Sequence, residues 1–316
     1  MKILKNSFLS VVVVLLGTTV TSCNSNDDGV QAGIEIPGIT ITDDVDCCSA
    51  EEALQVYRFL QTVKIVPELS TVIDGKYNVF AYTKTGALHT GYNDIYFVAT
   101  KQSTGNYIKN FDVTNLTPLM HMVKMDMYHS TPVGGAAESF NGAYLAVKHT
   151  WVSLVMNTSD AGSWTLSYDA LVLGKTGGIE KKDVVVNALP NGQVWLKSFK
   201  VGDDTYYLSL VNPNEWQTGT NGIRAYVSKK SAKATTPYLI AENSFTIGID
   251  PRMPDMGNHT SPNNTALVKQ TDGSYQGTIN LTMTGLWRIH LTVKDADGNV
   301  VAGGEELSSL YWDVTI

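Results

Sequence analysis

The feature that most constrains the fold of this 316-residue chain is an internal repeat at an offset of about 129 residues. Short motifs recur in the same order in two parts of the chain, and four ordered matches are hard to obtain by chance. The repeat therefore indicates a duplicated structural unit. The matched segments are 90–96 with 218–224, 126–132 with 255–262, 140–144 with 272–277, and 162–166 with 285–291.

Each repeat of about 130 residues contains runs in which apolar and polar residues alternate, such as 77–82 and 278–283. Alternation with a period of two is typical of half-buried strands, and Gly, Asn and Asp turns separate the runs. Only 17% of the residues are charged, while Thr, Asn, Ser, Tyr, Val and Gly are frequent, which also favours strands. We therefore predict an all-β protein of two tandem antiparallel β-sandwiches, with Trp164 and Trp287 packed between the sheets.

Residues 1–22 have the pattern of a bacterial export signal. Lys2 and Lys5 precede an apolar run at 8–16, and small residues continue to Cys23. The run is shorter than a membrane-spanning helix requires. A cysteine at the end of the run favours lipidation of Cys23, with an ordinary cleaved secretory signal as the alternative.

The segment from the lipidated cysteine to residue 48 is expected to be a flexible tether. Its adjacent Cys47 and Cys48 could close a disulfide only through a strained ring, so a vicinal disulfide, free thiols, intermolecular bonding and soft-metal ligation all stay open. Residues 49–52 have capping-box spacing, which favours a helix, whereas the β-branched residues that follow favour a strand. We place the first sandwich at 49–182 and the second at 183–316.

Charge and motifs exclude several functions. The formal net charge is −7 and no Lys/Arg cluster is present, so nucleic acid is not an expected partner. The chain contains no nucleophile elbow, no His-Glu-x-x-His and no phosphate-binding glycine loop, so we expect it not to be an enzyme. With the anchor, these features predict an acidic lipoprotein of the cell envelope, held in the outer membrane and facing either the periplasm or the surface.

Methionine and histidine are concentrated in two windows of the sequence. Thioether sulfur is a soft ligand that selects Cu(I), and imidazole accepts Cu(I), Cu(II) and zinc, so the windows predict copper sites. In an extended strand, Met120 and Met122 would share one face and Met125 and Met127 the other, with a bend at Lys124 to bring the pairs together. The candidate ligands are Met120, His121, Met122, Met125, Met127 and His129 in the first window, and Met253, Met256 and His259 in the second.

The alternative is that these methionines fill gaps in a core, which is a common use of Met. The charged and polar residues between them argue against a fully apolar setting. Met156 and Met283 are expected in matching strands of the two repeats. His89, His149 and His290 stand alone in strand-like runs, so we expect them to be exposed or hydrogen-bonded bystanders.

Residues 250–257, followed by 275–277 and 285–287, resemble the YtkA-like and FixH-like domains, which are immunoglobulin-like β-sandwiches. With Thr90-Gly91-Tyr92-Asn93 and Met120-His121-Met122 included, roughly residues 50–316 look like two-domain lipoproteins of Bacteroidota. The resemblance implies secreted, non-catalytic sandwiches whose relatives are associated with copper handling or cytochrome oxidase assembly. The Met-rich loop of the family maps onto Met253, Met256 and His259, and in the first copy onto Met120, Met122, Met127 and His129. Unlike in cupredoxins, no Cys joins either cluster.

Two functions follow as expectations. The first is a lipid-anchored extracytoplasmic protein that binds copper through its Met/His loops and exchanges it with a copper-trafficking protein. The second is a metal-free surface module that recognises a protein or a glycan, with the Met clusters serving as packing and Tyr92, Tyr128 and Trp216 exposed. The sequence leaves the oligomeric state open.

Overall fold

A computed structural model of the protein describes Ile36, Ile39 and residues 50–140, 144–211 and 216–316. The expected signal peptide, the lipidation site Cys23 and the pair Cys47 and Cys48 lie outside the described residues. The prediction of an all-β protein is confirmed, because strands that pair antiparallel make up most of the described chain. Within the described ranges, no helix is both long and apolar enough to span a bilayer.

Helix α1 opens the part up to Asn187, which we call the first half. The helix spans Ala50–Leu60, and 3-10 turns lie at Pro67–Leu69 and Val123–Met125. The strands of the first half are β1 (Lys64–Ile65), β2 (Thr71–Ile73), β3 (Tyr77–Thr83), β4 (Leu88–His89), β5 (Gly91–Lys101), β6 (Tyr107–Ile108), β7 (Phe111–Met122), β8 (Met127–His129), β9 (Glu138–Phe140), β10 (Tyr144–Leu154), β11 (Gly162–Val172), β12 (Lys175–Val184) and β13 (Val186–Asn187).

The part from Ala188 onwards is the second half, with 3-10 turns at Pro190–Gly192 and Pro254–Met256. The division expected between residues 182 and 183 falls inside strand β12. The strands of the second half are β14 (Leu196–Val201), β15 (Asp204–Val211), β16 (Gly219–Lys229), β17 (Thr246–Met253), β18 (His259–Thr260), β19 (Leu267–Lys269), β20 (Ser274–Leu281), β21 (Leu286–Lys294), β22 (Val300–Gly303) and β23 (Tyr311–Thr315).

The first half is a sandwich of two antiparallel sheets. One sheet has the order β1-β3-β5-β10-β9, with β2 and β6 at its side, and the other has the order β12-β11-β7-β8. Burial alternates along part of β5, where Ile95 and Phe97 face the core and Tyr96 between them is half-buried on the other face. Trp164 is buried in this core, as the sequence predicts.

Helix α1 covers the outer face of the first sheet. Glu51 and Glu52 in its first turn and Arg58 in its last turn match the helix dipole, and the helical alternative for this segment is the correct one. Val56 packs with Val98 and Val147 of the sheet in a separate small core. Ile36 of the expected tether is buried in the same cluster, so part of that segment packs against the fold.

The second half is one continuous sheet in the order β14-β15-β16-β20-β19-β17-β21-β22, with β18 paired to β17 and β23 paired to β21. Its first strand, β14, lies against its last, β22, so the sheet curls almost into a barrel. The interior is a single apolar cluster that includes Trp287 and Trp312, both fully buried. Trp287 is therefore a core residue, as the sequence predicts.

The two halves repeat local structure as well as sequence. Strands β5 and β16 each begin at a glycine with positive φ, Gly91 (80°) and Gly219 (94°). The Asn two residues later bonds back to the preceding turn in both halves: Asn93 to the backbone of His89 and Gly91, and Asn221 to that of Gln217 and Gly219. An Asn side chain supplies both a donor and an acceptor, which is why it stabilises such a turn.

The same equivalence holds for the buried tryptophans. The Trp164 indole N–H donates to the Met156 carbonyl, and the Trp287 indole N–H donates to the Met283 carbonyl, each at 2.9 Å. Met156 and Met283 lie just past strands β10 and β20 rather than within them. In each half, a hydrogen bond thus joins the indole of the buried tryptophan to the backbone of the methionine.

The halves contact each other through an aromatic stack and a short backbone pairing. Tyr226 stacks on Trp151 with ring centroids 4.6 Å apart and on Tyr92 with centroids 5.9 Å apart. The segment that follows β8 also bonds to the second half, where the Tyr238 amide donates to the Thr131 carbonyl at 3.1 Å. Strand β8 therefore leads directly into the junction between the halves.

Candidate functional site

The first Met/His window forms the β7–β8 hairpin. Strand β7 ends at Met122, a 3-10 turn follows, and Asp126 closes the turn in the left-handed conformation with φ 46° and ψ 45°. A residue in the left-handed conformation ends a helical turn, and the chain changes direction there. As a result, β8 pairs with β7 immediately after the turn.

The register of the hairpin places three thioethers and one imidazole on one side. Met122 is opposite Met127, and Met120 is opposite His129. Positions two apart on a strand share a face, as do directly opposite positions on paired strands. Met120, Met122, Met127 and His129 therefore share one face, which we call the thioether face.

Burial changes steadily along the thioether face. Met120 is 0% exposed and belongs to the core, Met122 is half-buried, and Met127 is 53% exposed. Met156 joins Met120 at the buried end, since a Cβ at Gly162 would lie 2.5 Å from Met120 Cε and 3.8 Å from Met156 Cε. The face thus runs from a dry, sulfur-rich interior to the solvent.

His129 has a defined tautomer on this face. Its Nδ1 lies 3.1 Å from the Ser130 carbonyl oxygen, which can only accept a hydrogen bond. In the neutral ring Nδ1 must then carry the proton, and Nε2 keeps its lone pair. An imidazole held in this way by a backbone carbonyl presents Nε2 as a metal ligand.

Two of the predicted ligands in the first window lie elsewhere. His121 is on the opposite face of β7, where it stacks on Tyr128 with ring centroids 4.4 Å apart and bonds to Asp126 at 3.0 Å. Met125 lies in the 3-10 turn and is 54% exposed. The sequence pattern grouped Met125 with Met127, but the turn starts at Val123, so Met127 returns opposite Met122 instead.

The second window forms a shorter version of the same hairpin. Met253 is opposite His259, so one thioether and one imidazole share a side. Met253 is buried with 4% exposure, whereas His259 is exposed, and Met256 in the turn is 53% exposed. The structure therefore brings Met253 and His259 together and leaves Met256 apart from them.

Other donor types do not form a comparable cluster. Throughout the ranges that the structure describes, no group of three or more His, Cys, Asp or Glu side chains is placed to hold a metal ion. The donors of the thioether face are mainly sulfurs, which are outside that set. The chemistry that this face offers is soft-metal binding.

Sequence reasoning missed a polar network on the outer face of β5. Asp94 Oδ1 accepts hydrogen bonds from the Tyr92 hydroxyl and from His149 Nε2, both at 2.7 Å. Burial, and next the Asp94 carboxylate, raise the pKa of Tyr92 well above its ordinary value, so the hydroxyl stays a donor. The sequence signal that could have indicated this network is the strand pattern at 92–94, because residues two apart on a strand share a face, as Tyr92 and Asp94 do.

Comparisons with known proteins give no family. No family model matches the chain, and no curated protein matches it. Among solved structures, one titled BspA_C_WT aligns with 8% identity over 73% of this chain and 94% of that chain, with a TM-score of 0.15. At that TM-score the likeness supports no statement about fold or function.

Proposed function

We propose that the protein is a lipid-anchored protein of the cell envelope that binds Cu(I) on the thioether face of its first half. The observation that supports this most strongly is the register of the β7–β8 hairpin, which sets Met122 opposite Met127 and Met120 opposite His129. Thioether and imidazole donors together favour Cu(I) over hard cations.

The ligand set follows from reach and exposure. Directly opposite residues in an antiparallel pair have Cβ atoms about 4.5–5.5 Å apart, so the flexible Met122 and Met127 side chains can turn their sulfurs towards one ion. His129 Nε2, two residue pairs further along on the same face, is the nitrogen donor. Met120, which is fully buried, supports these ligands from beneath and keeps the inner side of the site dry.

Exposure of Met127 suits exchange of the ion. More than half of this side chain is open to solvent, while Met122 is half-buried. An ion can therefore enter or leave from the rim without unfolding the sandwich. This arrangement fits a protein that receives copper outside the cytoplasm and passes it to a copper-trafficking partner.

The test is a competition titration of the reduced protein against a chromophoric Cu(I) chelator. We expect one Cu(I) per chain, and we expect the Met122→Ala/Met127→Ala variant to bind at least about tenfold more weakly, a loss of about 1.4 kcal/mol. The matched control is Met125→Ala/Met256→Ala, which removes two exposed methionines away from the thioether face and should leave the affinity unchanged. Absence of Cu(I) binding, or unchanged affinity in the first variant, would rule out the proposal.

A second candidate function is a metal-free interaction module, and the tip of the same hairpin favours it. Val123 is 50% exposed, Met125 54% and Tyr128 46%, so apolar side chains crowd a small solvent-facing tip. This function predicts that a photo-crosslinking side chain at position 125 captures the same partner in wild type and in Met122→Ala/Met127→Ala. Capture that requires Cu(I) would instead favour copper exchange.

A further inference from the structure

A cavity of about 110 Å³ opens between the two halves, away from the thioether face. Its walls come from the β3–β5 region of the first half, from Leu189 in the connecting segment and from Trp195 at the start of the second half. Pockets for small molecules form preferentially at such junctions and combine apolar walls with a few polar groups. The lining of this cavity is more polar, since most of its residues are Thr, Lys, His, Asn and Asp, while Leu189 and Trp195 are apolar.

The His89 imidazole is a polar group that is available to a ligand in the cavity. In the part of the chain that the structure describes, the His89 ring has no hydrogen-bond partner, while its backbone N–H and C=O are both bonded to Asn93. The ring is half-buried, and burial lowers the pKa of His89, so it is neutral at pH 7. A neutral imidazole offers one N–H donor and one acceptor to whatever enters the cavity.

Asp94 supplies a fixed acceptor. Its Oδ1 is held by the Tyr92 hydroxyl and His149 Nε2, each at 2.7 Å. Its Oδ2 has no hydrogen-bond partner among the described residues, and the side chain is 35% exposed. Because the carboxylate is already oriented, a ligand that bonds to Oδ2 does not have to order it.

Trp195 contributes a small apolar part of the lining, since the residue is only 7% exposed. Its indole N–H donates to the Asp313 carbonyl at 2.7 Å, which holds the ring in place. Leu189 extends the apolar surface. At Gly91 the backbone approaches closely, since a Cβ there would lie 3.5 Å from Trp195 Cβ. The lining therefore combines a small apolar part with several polar side chains.

Charge selects the class of ligand. Asp94 and Lys84 both line the cavity with opposite charges, and His89 is neutral, so the lining has no net preference for an ion. Hydroxyl groups both donate and accept, which matches the imidazole and the carboxylate together. We propose that the cavity binds one edge of a neutral sugar ring, with the hydroxyl groups of that edge bonded to His89 and Asp94 and the rest of the ring outside the cavity.

The test uses saturation-transfer NMR on the full chain with four probes: methyl α-glucoside, methyl α-mannoside, methyl β-galactoside and N-acetylglucosamine. We expect at least one of them to bind, with the strongest transfer to the C–H protons of one edge of its ring. His89→Ala should weaken that binding at least about tenfold, since a lost ligand hydrogen bond leaves the opposing hydroxyl unpaired. His89→Gln, which keeps a donor and an acceptor, should lose less.

His121→Ala is the matched control, because it removes a histidine that does not line the cavity and should leave sugar binding unchanged. Near-ultraviolet circular dichroism of each variant checks that the fold is intact. Binding of none of the four sugars, equal loss in His121→Ala, or unchanged binding in His89→Ala would overturn the proposal. Stronger binding of a cationic probe, methylammonium, than of every sugar would also overturn it, because Asp94 would then act as a counter-ion.

Discussion

The two Met/His hairpins share a backbone plan and differ in the donors they present. Each has a strand, a 3-10 turn and a left-handed residue, Asp126 in the first and Gly257 in the second. In the first hairpin, the two cross-strand pairs on the thioether face, Met120 with His129 and Met122 with Met127, consist of sulfur and imidazole donors. In the second, Met253 faces His259, and the residue two positions before Met253 is Pro251, which offers no donor side chain.

On the other face of the second hairpin, Arg252 has the position that His121 has in the first, and its Nη2 lies 2.9 Å from the Asp250 carboxylate. The scaffold and the ligands therefore vary independently in the two halves. A shared scaffold should respond alike to substitution in both halves, while the hairpin side chains should not. Substitutions at matched positions separate these two expectations.

The strongest effect should come from the tryptophans that both cores share. Trp164 and Trp287 are 1% and 0% exposed, and each N–H satisfies a methionine carbonyl. Trp164→Ala and Trp287→Ala should each lower the free energy of unfolding of the half that carries it by about 3–5 kcal/mol, because a large cavity remains. Urea denaturation followed by circular dichroism measures the loss.

Trp164→Phe and Trp287→Phe are the controls for this pair. Each keeps an aromatic ring in the core but removes the donor to the carbonyl, so we expect smaller losses than for alanine. A loss in only one half would contradict the equivalence of the two cores. Such a result would mean that the two tryptophans, although their sequence motifs match, do not contribute equally to the packing of their cores.

The next effect distinguishes buried from exposed methionines. Met120 and Met253 are 0% and 4% exposed, so Met120→Ala and Met253→Ala should each cost about 2–5 kcal/mol of unfolding free energy. Met125 and Met256 are 54% and 53% exposed, and their alanine variants should stay within about 0.5 kcal/mol of wild type. Thermal and urea unfolding of the four variants provide the measurement.

Leucine variants separate the loss of volume from the loss of sulfur at the buried positions. Met120→Leu and Met253→Leu conserve volume and should cost less than about 1.5 kcal/mol. If Met125→Ala were as damaging as Met120→Ala, the turn methionine would have a packing role that its exposure does not indicate. The hairpin would then be structural at its tip as well as at its base.

Much of the fold was predictable because it depends on local patterns. Alternation predicts the strands, and the Gly-x-Asn spacing at Gly91 and Gly219 predicts two equivalent turns, since glycine permits the positive φ and Asn bonds back to the backbone. Curling of the second sheet into a near-barrel was not predictable. It depends on contact between β14 and β22, which are distant in the sequence.

The candidate site was only partly predictable for a related reason. A slip of one residue in register moves every side chain of a strand to the other face, so the pairing of Met122 with Met127 depends on where the turn starts. Spacing alone put Met127 with Met125. The cavity was not predictable at all, because His89 and Trp195 meet only through the tertiary structure.

A smaller loss than at the buried tryptophans and methionines should come from the residue that closes each hairpin turn. Gly257 has φ 63° and ψ 32°, and a Cβ there would meet no atom within 4 Å. Gly257→Ala should therefore cost only the left-handed backbone preference, about 1 kcal/mol of unfolding free energy, with no added clash.

Gly257→Asn should cost less than Gly257→Ala, because Asn tolerates the left-handed region better than other non-glycine residues. In the first hairpin Asp126→Gly relieves the same backbone cost but removes the bond to His121, which is solvent-exposed, so its net effect on unfolding should be near zero. Urea unfolding of the three variants tests this ranking. A larger loss for Gly257→Asn than for Gly257→Ala would show that this turn is held by something other than backbone conformation, and the two hairpins would then differ in their scaffold as well as in their donors.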